Sequence, residues 1–119
     1  MRKENSSNNI NEKKIAAKCG MAYTLSLIGG RWKPTILWRL MDGKMRYSEL
    51  KRSIPDVSER MLVMQLRELE KGELVKRIVY AEVPPKVEYE LTALGLSMRP
   101  MLQSISDWGE AHRKKVTQQ

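Results

Sequence analysis

Between Arg46 and Thr92 the spacing of the apolar residues changes twice, and that order of changes leaves few folds open. Tyr47, Leu50 and Ile54 fall at intervals of three and four, one stripe along a short helix. Pro55 and Asp56 end it, because proline disfavours a helical residue before it and aspartate forms turns. Ser58 then offers an N-cap and Glu59 suits the positive end of a helix dipole. Leu62, Leu66 and Leu69 repeat at helical spacing until Gly72 supplies a stop. Beyond Gly72 the period shortens. Leu74 to Tyr80 and Lys86 to Leu91 are rich in β-branched and aromatic residues, and the second alternates apolar with charged ones, so both read as strands. Between them Ala81-Glu82-Val83-Pro84-Pro85 cannot continue a ladder, since neither proline has an amide to donate. Two helices across a tight turn, then a hairpin with a stiff exposed tip, is the order of a winged helix-turn-helix, whose second helix is placed to enter a DNA groove.

The flanking segments supply the cover. Met21, Ala22, Leu25 and Ile28 predict a short helix that Gly29-Gly30 ends. Trp32 to Met41 predicts a second, with Pro34 near its first turn and Ile36, Leu37, Leu40 and Met41 facing a core; Asp42-Gly43 closes it. Trp32 and Trp38 belong to that apolar helix and read as packing residues rather than a ligand cage. Further on, Leu91, Leu94, Met98, Met101, Ile105, Trp108 and His112 alternate at spacings of three and four, the pattern of helices that pack on helices. Thr92 is a ready N-cap for this segment, and Pro100 predicts two helical pieces around residue 100. The stripe either packs on the domain's own core or joins two copies. The second reading is adopted, with Leu94, Met98, Met101, Ile105 and Trp108 as the dimer interface, because two N-terminal helices suffice to cover so small a module.

At 119 residues the chain has room for one domain with a modest core. We expect a disordered polar tail over 1–14, the domain over 15–112, and a basic tail over 113–119. No apolar run approaches a membrane helix and the polar start lacks a secretory signal, so a cytoplasmic location is expected. One cysteine excludes an internal disulfide framework and a thiolate-rich zinc site. The single histidine, His112, has no nucleophile or metal-ligand partners at useful spacing, so neither catalysis nor a cofactor is expected. The net charge of +8 favours a polyanionic partner. It does not locate the contact, because 46–91 holds nine basic and nine acidic residues and the excess sits in the flanks.

A helical wheel narrows the contact, at ~100° per residue. With Leu62, Leu66 and Leu69 inward, Arg60, Met64, Arg67 and Lys71 point outward, Val63 lies on one flank and Gln65 on the other, nearer the core. Arg60 and Arg67 are candidates for base edges or phosphates, and Val63 and Met64 for thymine methyls. The alternative for the arginines is a solvated face paired with Glu68 or Glu70. Ser58 is a cap that also meets a phosphate. On the wing, Arg77 and Lys86 are candidates for phosphate or minor-groove contact, unless Lys86 only keeps a strand edge soluble.

Several blocks, in order, carry a resemblance. Gly29-Gly30-Arg31-Trp32-Lys33, Arg46-Tyr47-Ser48-Glu49-Leu50, Leu66-Arg67-Glu68-Leu69-Glu70, Leu74-Val75-Lys76-Arg77 and Val83-Pro84-Pro85-Lys86-Val87-Glu88-Tyr89-Glu90-Leu91-Thr92 resemble the signature blocks of the HxlR-type regulators. These are small bacterial transcription factors related to the MarR winged-helix proteins, and the likeness runs from Cys19 to about Trp108. It implies a homodimer, joined through terminal helices, on double-stranded operator DNA, acting as repressor or activator. Cys19 resembles the N-terminal cysteine by which some of these proteins sense oxidants or electrophiles, through a mixed or intersubunit disulfide. Where the family commonly has proline next, this chain has Gly20. Lys13, Lys14 and Lys18 would favour a thiolate if close to it; the other reading is an inert thiol.

The expected fold is therefore mainly helical with a small hairpin wing, and the expected function sequence-specific DNA binding for transcriptional regulation. Its rivals are a sequence-tolerant architectural DNA binder and a winged helix used for protein association.

Overall fold

Residues 19–117 are described by a computed structural model. The helices are α1 (Gly20–Ile28), α2 (Trp32–Arg39), α3 (Tyr47–Ser53), α4 (Glu59–Lys71), α5 (Ala93–Leu96) and α6 (Arg99–Thr117), and the strands β1 (Met45–Arg46), β2 (Val75–Tyr80) and β3 (Lys86–Leu91). A single 3-10 turn, Leu40–Asp42, carries α2 into β1.

The core explains why α3 and α4 hold their places. Leu62, Leu66 and Leu69 are at most 1% exposed, and they pack with Ile36, Leu37 and Leu40, with Leu50, Ile54 and Val57, and with Leu74 and Leu91. Each such side chain contributes about 1.5–3 kcal/mol on burial, enough in sum to fix which face of α4 turns outward. Ser58 caps α4 as expected, its Oγ accepting the Met61 N–H at 3.1 Å. A second tie comes from α2, where Lys33 donates to Glu68 of α4 at 2.8 Å. Trp32 and Trp38 pack against the core from α2.

Helix α4 ends at Lys71 with Gly72 as its C-cap, where the sequence places the stop, but the left-handed position falls one residue later. Gly72 has an ordinary φ of −78°, whereas Glu73 takes the left-handed conformation at φ 61°. The Leu74 N–H bonds to the Leu69 carbonyl and the Glu73 N–H to that of Glu70, both at 3.0 Å, which is the Schellman pattern. Burying Leu74 on the core next to Leu69 decides the register, and the left-handed position then falls on whichever residue precedes Leu74.

The hairpin runs as expected, with Val75 opposite Leu91 and Tyr80 opposite Lys86. It gains a third strand, for β1 pairs with β3 through Met45↔Tyr89 and Arg46↔Glu88, giving the antiparallel order β1-β3-β2. Two residues are too few for alternation to reveal.

The C-terminal segment divides at Ser97-Met98. Thr92 caps α5, its Oγ1 accepting the Gly95 N–H at 3.1 Å, and Pro100 sits in the first turn of α6, where its missing amide costs nothing. Gly95 has a role unread from the sequence: a Cβ there would stand 2.3 Å from the Leu74 carbonyl oxygen, so α5 can seat against the entry of β2 only with glycine. Helix α6 continues to Thr117, so 113–117 are its last turns rather than a basic tail. The tail expected over 1–14 lies outside the described residues. No described helix is long and apolar enough to cross a membrane.

The seven-residue stripe is divided in its burial. Met98 and Met101 are half-buried against the core, while Leu94, Ile105 and Trp108 are exposed, Trp108 at 69%. The residue of α6 that enters the core is Leu102, which lies off that stripe. Helix α1 is similar, with Ile28 buried and Met21 and Leu25 exposed.

Candidate nucleic-acid interface

The outer face of α4 carries Arg60, Met64, Arg67 and Lys71, all exposed, with Val63 half-buried on one flank. Gln65, on the other, is half-buried and its Nε2 lies 3.3 Å from Met61 Sδ. Ser58 is exposed, but its oxygen is engaged in the cap. Arg60 and Arg67 make no ion pair among the described residues: Arg60 lies more than two turns from Glu68 and Glu70, Glu68 is taken by Lys33, and Glu70 does not pair with Arg67. Both arginines are solvent-exposed, and the pairing with Glu68 or Glu70 is absent among the described residues. Arg60, Val63, Met64, Arg67 and Lys71 line one open groove, walled by Tyr47 of α3 and Glu59. Its middle is apolar and its ends carry mixed charge, with Glu59 beside Arg60 and Glu68 beside Arg67 and Lys71; the apolar middle suits base methyls and the arginines guanine acceptors or phosphates.

The two wing candidates part company. Arg77 stands opposite Tyr89, and both line a cleft with Val63, Arg67 and Glu70 of α4. Lys86 stands opposite Tyr80, one pleat out of phase, so it lies on the other face of the sheet. There its Nζ sits 4.6 Å from the centre of the Tyr80 ring and 3.8 Å from a Glu88 carboxylate oxygen. The Tyr80 hydroxyl donates to Glu88 at 2.7 Å, and Lys44 Nζ lies 3.4 Å from that hydroxyl and 3.9 Å from the carboxylate. The Tyr80 hydrogen bond, with help from Lys86, Lys44 and Arg46, holds the Glu88 carboxyl below the usual carboxylate range against the opposing effect of burial. A separate bond, donated by Lys44 to the Tyr80 hydroxyl, together with Tyr80 and Glu88 nearby, raises Lys44. Lys86 is thus drawn back into the wing, while Arg60, Val63, Met64, Arg67 and Arg77 are brought together.

Tyr47 escaped the sequence reading as a site residue because it shares the stripe of Leu50. It is half-buried and walls both the α4 groove and a second hollow between the start of α3 and the wing tip. Burial, with Glu59 and Tyr89 nearby, raises its hydroxyl above the usual value. Glu88 escaped because a charge alternating with apolar residues reads as solvent-facing.

Cys19 is exposed and immediately precedes α1, its carbonyl accepting the Tyr23 N–H at 2.9 Å. Lys13, Lys14 and Lys18 lie outside the described residues. Among the described residues no group of three or more His, Cys, Asp or Glu could hold a metal.

A capped helix anchored by a buried leucine stripe, with an outer face of unpaired arginines and a hairpin alongside, defines a DNA-binding protein of the winged helix-turn-helix class. Residues 27–117 match the HxlR-like helix-turn-helix family, and the chain belongs to that family of transcriptional regulators. It is 52% identical over 91 residues to the HTH-type transcriptional regulator YkvN of Bacillus subtilis, covering 76% of this chain and 77% of that one. With YdeP of the same organism it shares 44% over 98 residues, covering 82% and 77%. Among solved structures, the redox regulator HypR in its reduced form superposes with a TM-score of 0.77 at 42% identity, over 84% of this chain and 99% of that chain. Reduced YodB from Bacillus subtilis gives 0.68 at 39% identity, over 77% and 90%.

Proposed function

We propose that this regulator binds operator DNA as a homodimer, with α4 of each protomer in the major groove, and that Cys19 makes the binding sensitive to oxidants or electrophiles. The observation that carries the reading is the outer face of α4, where Arg60 and Arg67 are exposed and make no ion pair among the described residues, Arg67 even with Glu70 three residues on. Dimerisation is supported by the exposed apolar residues of the terminal helices, Met21 and Leu25 of α1 with Ile105 and Trp108 of α6. Redox sensitivity is supported by the exposure of Cys19 and by likeness to HypR, a redox regulator solved in oxidised and reduced forms. As the sequence has one cysteine, a protein disulfide through Cys19 would join two chains and reset the spacing of the two reading helices.

The test starts from genomic fragments retained by the protein. A dimer should protect two half-sites ~10 bp apart or a multiple, and should outcompete random duplex for them. Arg60→Ala should cost about 1–3 kcal/mol of operator binding. Diamide should weaken the wild type and spare Cys19→Ser. Equal affinity for operator and random duplex would make the protein an architectural binder, and no retention on DNA at moderate salt would make it a protein-association module.

A further inference from the structure

We propose that Arg67 and Arg77 together clamp one backbone phosphate of the bound DNA, so that Arg67 anchors α4 while Arg60 reads a base. The proposal rests on α4 occupying the major groove. Its basis is the cleft between the second half of α4 and strand β2, lined by Val63, Arg67, Glu70, Arg77 and Tyr89. Arg67 lines it from the helix and Arg77 from the wing, and both residues are exposed. Buried Tyr89 and half-buried Val63 give the cleft an apolar wall, which raises the strength of any charge contact made against it. Neither arginine has an ion pair among the described residues, Glu70 included.

Charge and geometry name the occupant. Two guanidiniums and one carboxylate leave the cleft with a single net positive charge, the complement of a phosphodiester. The major and minor grooves of a duplex are separated by one sugar-phosphate backbone, so a helix in one groove with a hairpin beside it must straddle that backbone. The cleft between helix and hairpin is where its phosphates pass, and the planar fork of arginine fits two phosphate oxygens at once. Arg60 is absent from this cleft. It sits in the first turn of α4, in the open groove with Val63 and Met64, where a recognition helix presents its base-reading residues. Arg67 lines both hollows and so stands where the groove meets the backbone.

The experiment is a salt series of binding isotherms with the full chain, on an operator fragment taken from retained genomic DNA and on random duplex of equal length. Arg67→Ala and Arg77→Ala should each weaken both duplexes by about tenfold or more and lower the salt slope, by about 1 in total when both are removed, since they serve one phosphate. The double variant should lose less than the product of the two single losses, because both act on one phosphate. Glu70→Gln should tighten both duplexes. Arg60→Ala should weaken the operator alone. If Arg67→Ala weakens only the operator and leaves the random duplex and the slope unchanged, Arg67 reads a base and the clamp is overturned, with the groove placement intact. If neither Arg60→Ala nor Arg67→Ala alters operator binding, the placement of α4 fails and the clamp with it. Circular dichroism of these surface variants confirms that each compared chain is folded.

Discussion

Helices α4 and α6 carry apolar residues at the same spacing, yet they end in different surroundings. In α4 the stripe Leu62, Leu66, Leu69 closes completely inside the protomer, and the opposite face is mostly charged, with Met64 exposed among Arg60, Arg67 and Lys71. In α6 only Leu102 is fully buried, while Ile105 and Trp108 of the regular stripe remain exposed. Period alone says that a face will be covered; it does not say by what. What decides is the amount of apolar surface the rest of the chain can offer. The small module offers enough for α4, through α2, α3 and the sheet. After Leu102 has docked, none of the described residues covers the outer side of α6, and α1 likewise exposes Met21 and Leu25 among them.

That contrast predicts opposite outcomes for truncating one stripe and charging the other. Leu66→Ala should cost about 2–5 kcal/mol of unfolding free energy in urea, since the leucine is essentially fully buried and truncation leaves a cavity in the core. A cost under 1 kcal/mol would mean that the α4 stripe is not closed. Ile105→Glu should leave the protomer folded, and should weaken self-association by about 2 kcal/mol or more if the α6 stripe is the interface core. Sedimentation across a concentration series reads it. A folded dimer like the wild type would place the interface elsewhere and erase the distinction between the two helices.

Much of this was legible in the residues, for reasons that can be named. Long, regular patterns survived: the α4 stripe, the Ser58 and Thr92 caps, and the two wing strands all lie where local chemistry puts them, because no tertiary demand opposes it. Features made by distant segments meeting were hidden. Strand β1 exists only because β3 is there to pair with it, and Gly95 is required only because Leu74 approaches. The site followed the same division. The outward set on α4 came from a wheel, whereas the sharing of one cleft by Arg67 and Arg77 needed the register of β2, and the retreat of Lys86 needed the same register, which sets it opposite Tyr80 and near Glu88.

The end of α4 is where local and tertiary demands compete most openly, and it sharpens the contrast on the closed side. Glycine is the usual left-handed residue at a helix stop, yet Gly72 has an ordinary backbone here and Glu73 bears the positive φ. A left-handed residue with a side chain costs about 1–2 kcal/mol, while glycine loses about 0.5–1 kcal/mol more chain entropy on folding. Glu73→Gly should therefore stabilise the protomer by a net of about 0.5–1 kcal/mol. The Glu73 carbonyl, which accepts the Thr92 hydroxyl at 2.6 Å, is kept in the variant, and the Glu73 side chain makes no ion pair among the described residues to be lost. Gly72→Ala is the companion change, because a Cβ there meets only the Glu68 and Leu69 carbonyls at 3.6 and 3.8 Å, ordinary contact distances. It should add about 0.4–1 kcal/mol by restricting the unfolded chain. Denaturation midpoints at one protein concentration, with self-association held constant, check both. Destabilisation by Glu73→Gly would show that the stop of α4 is held by the Glu73 side chain rather than by the packing of Leu74 against Leu69.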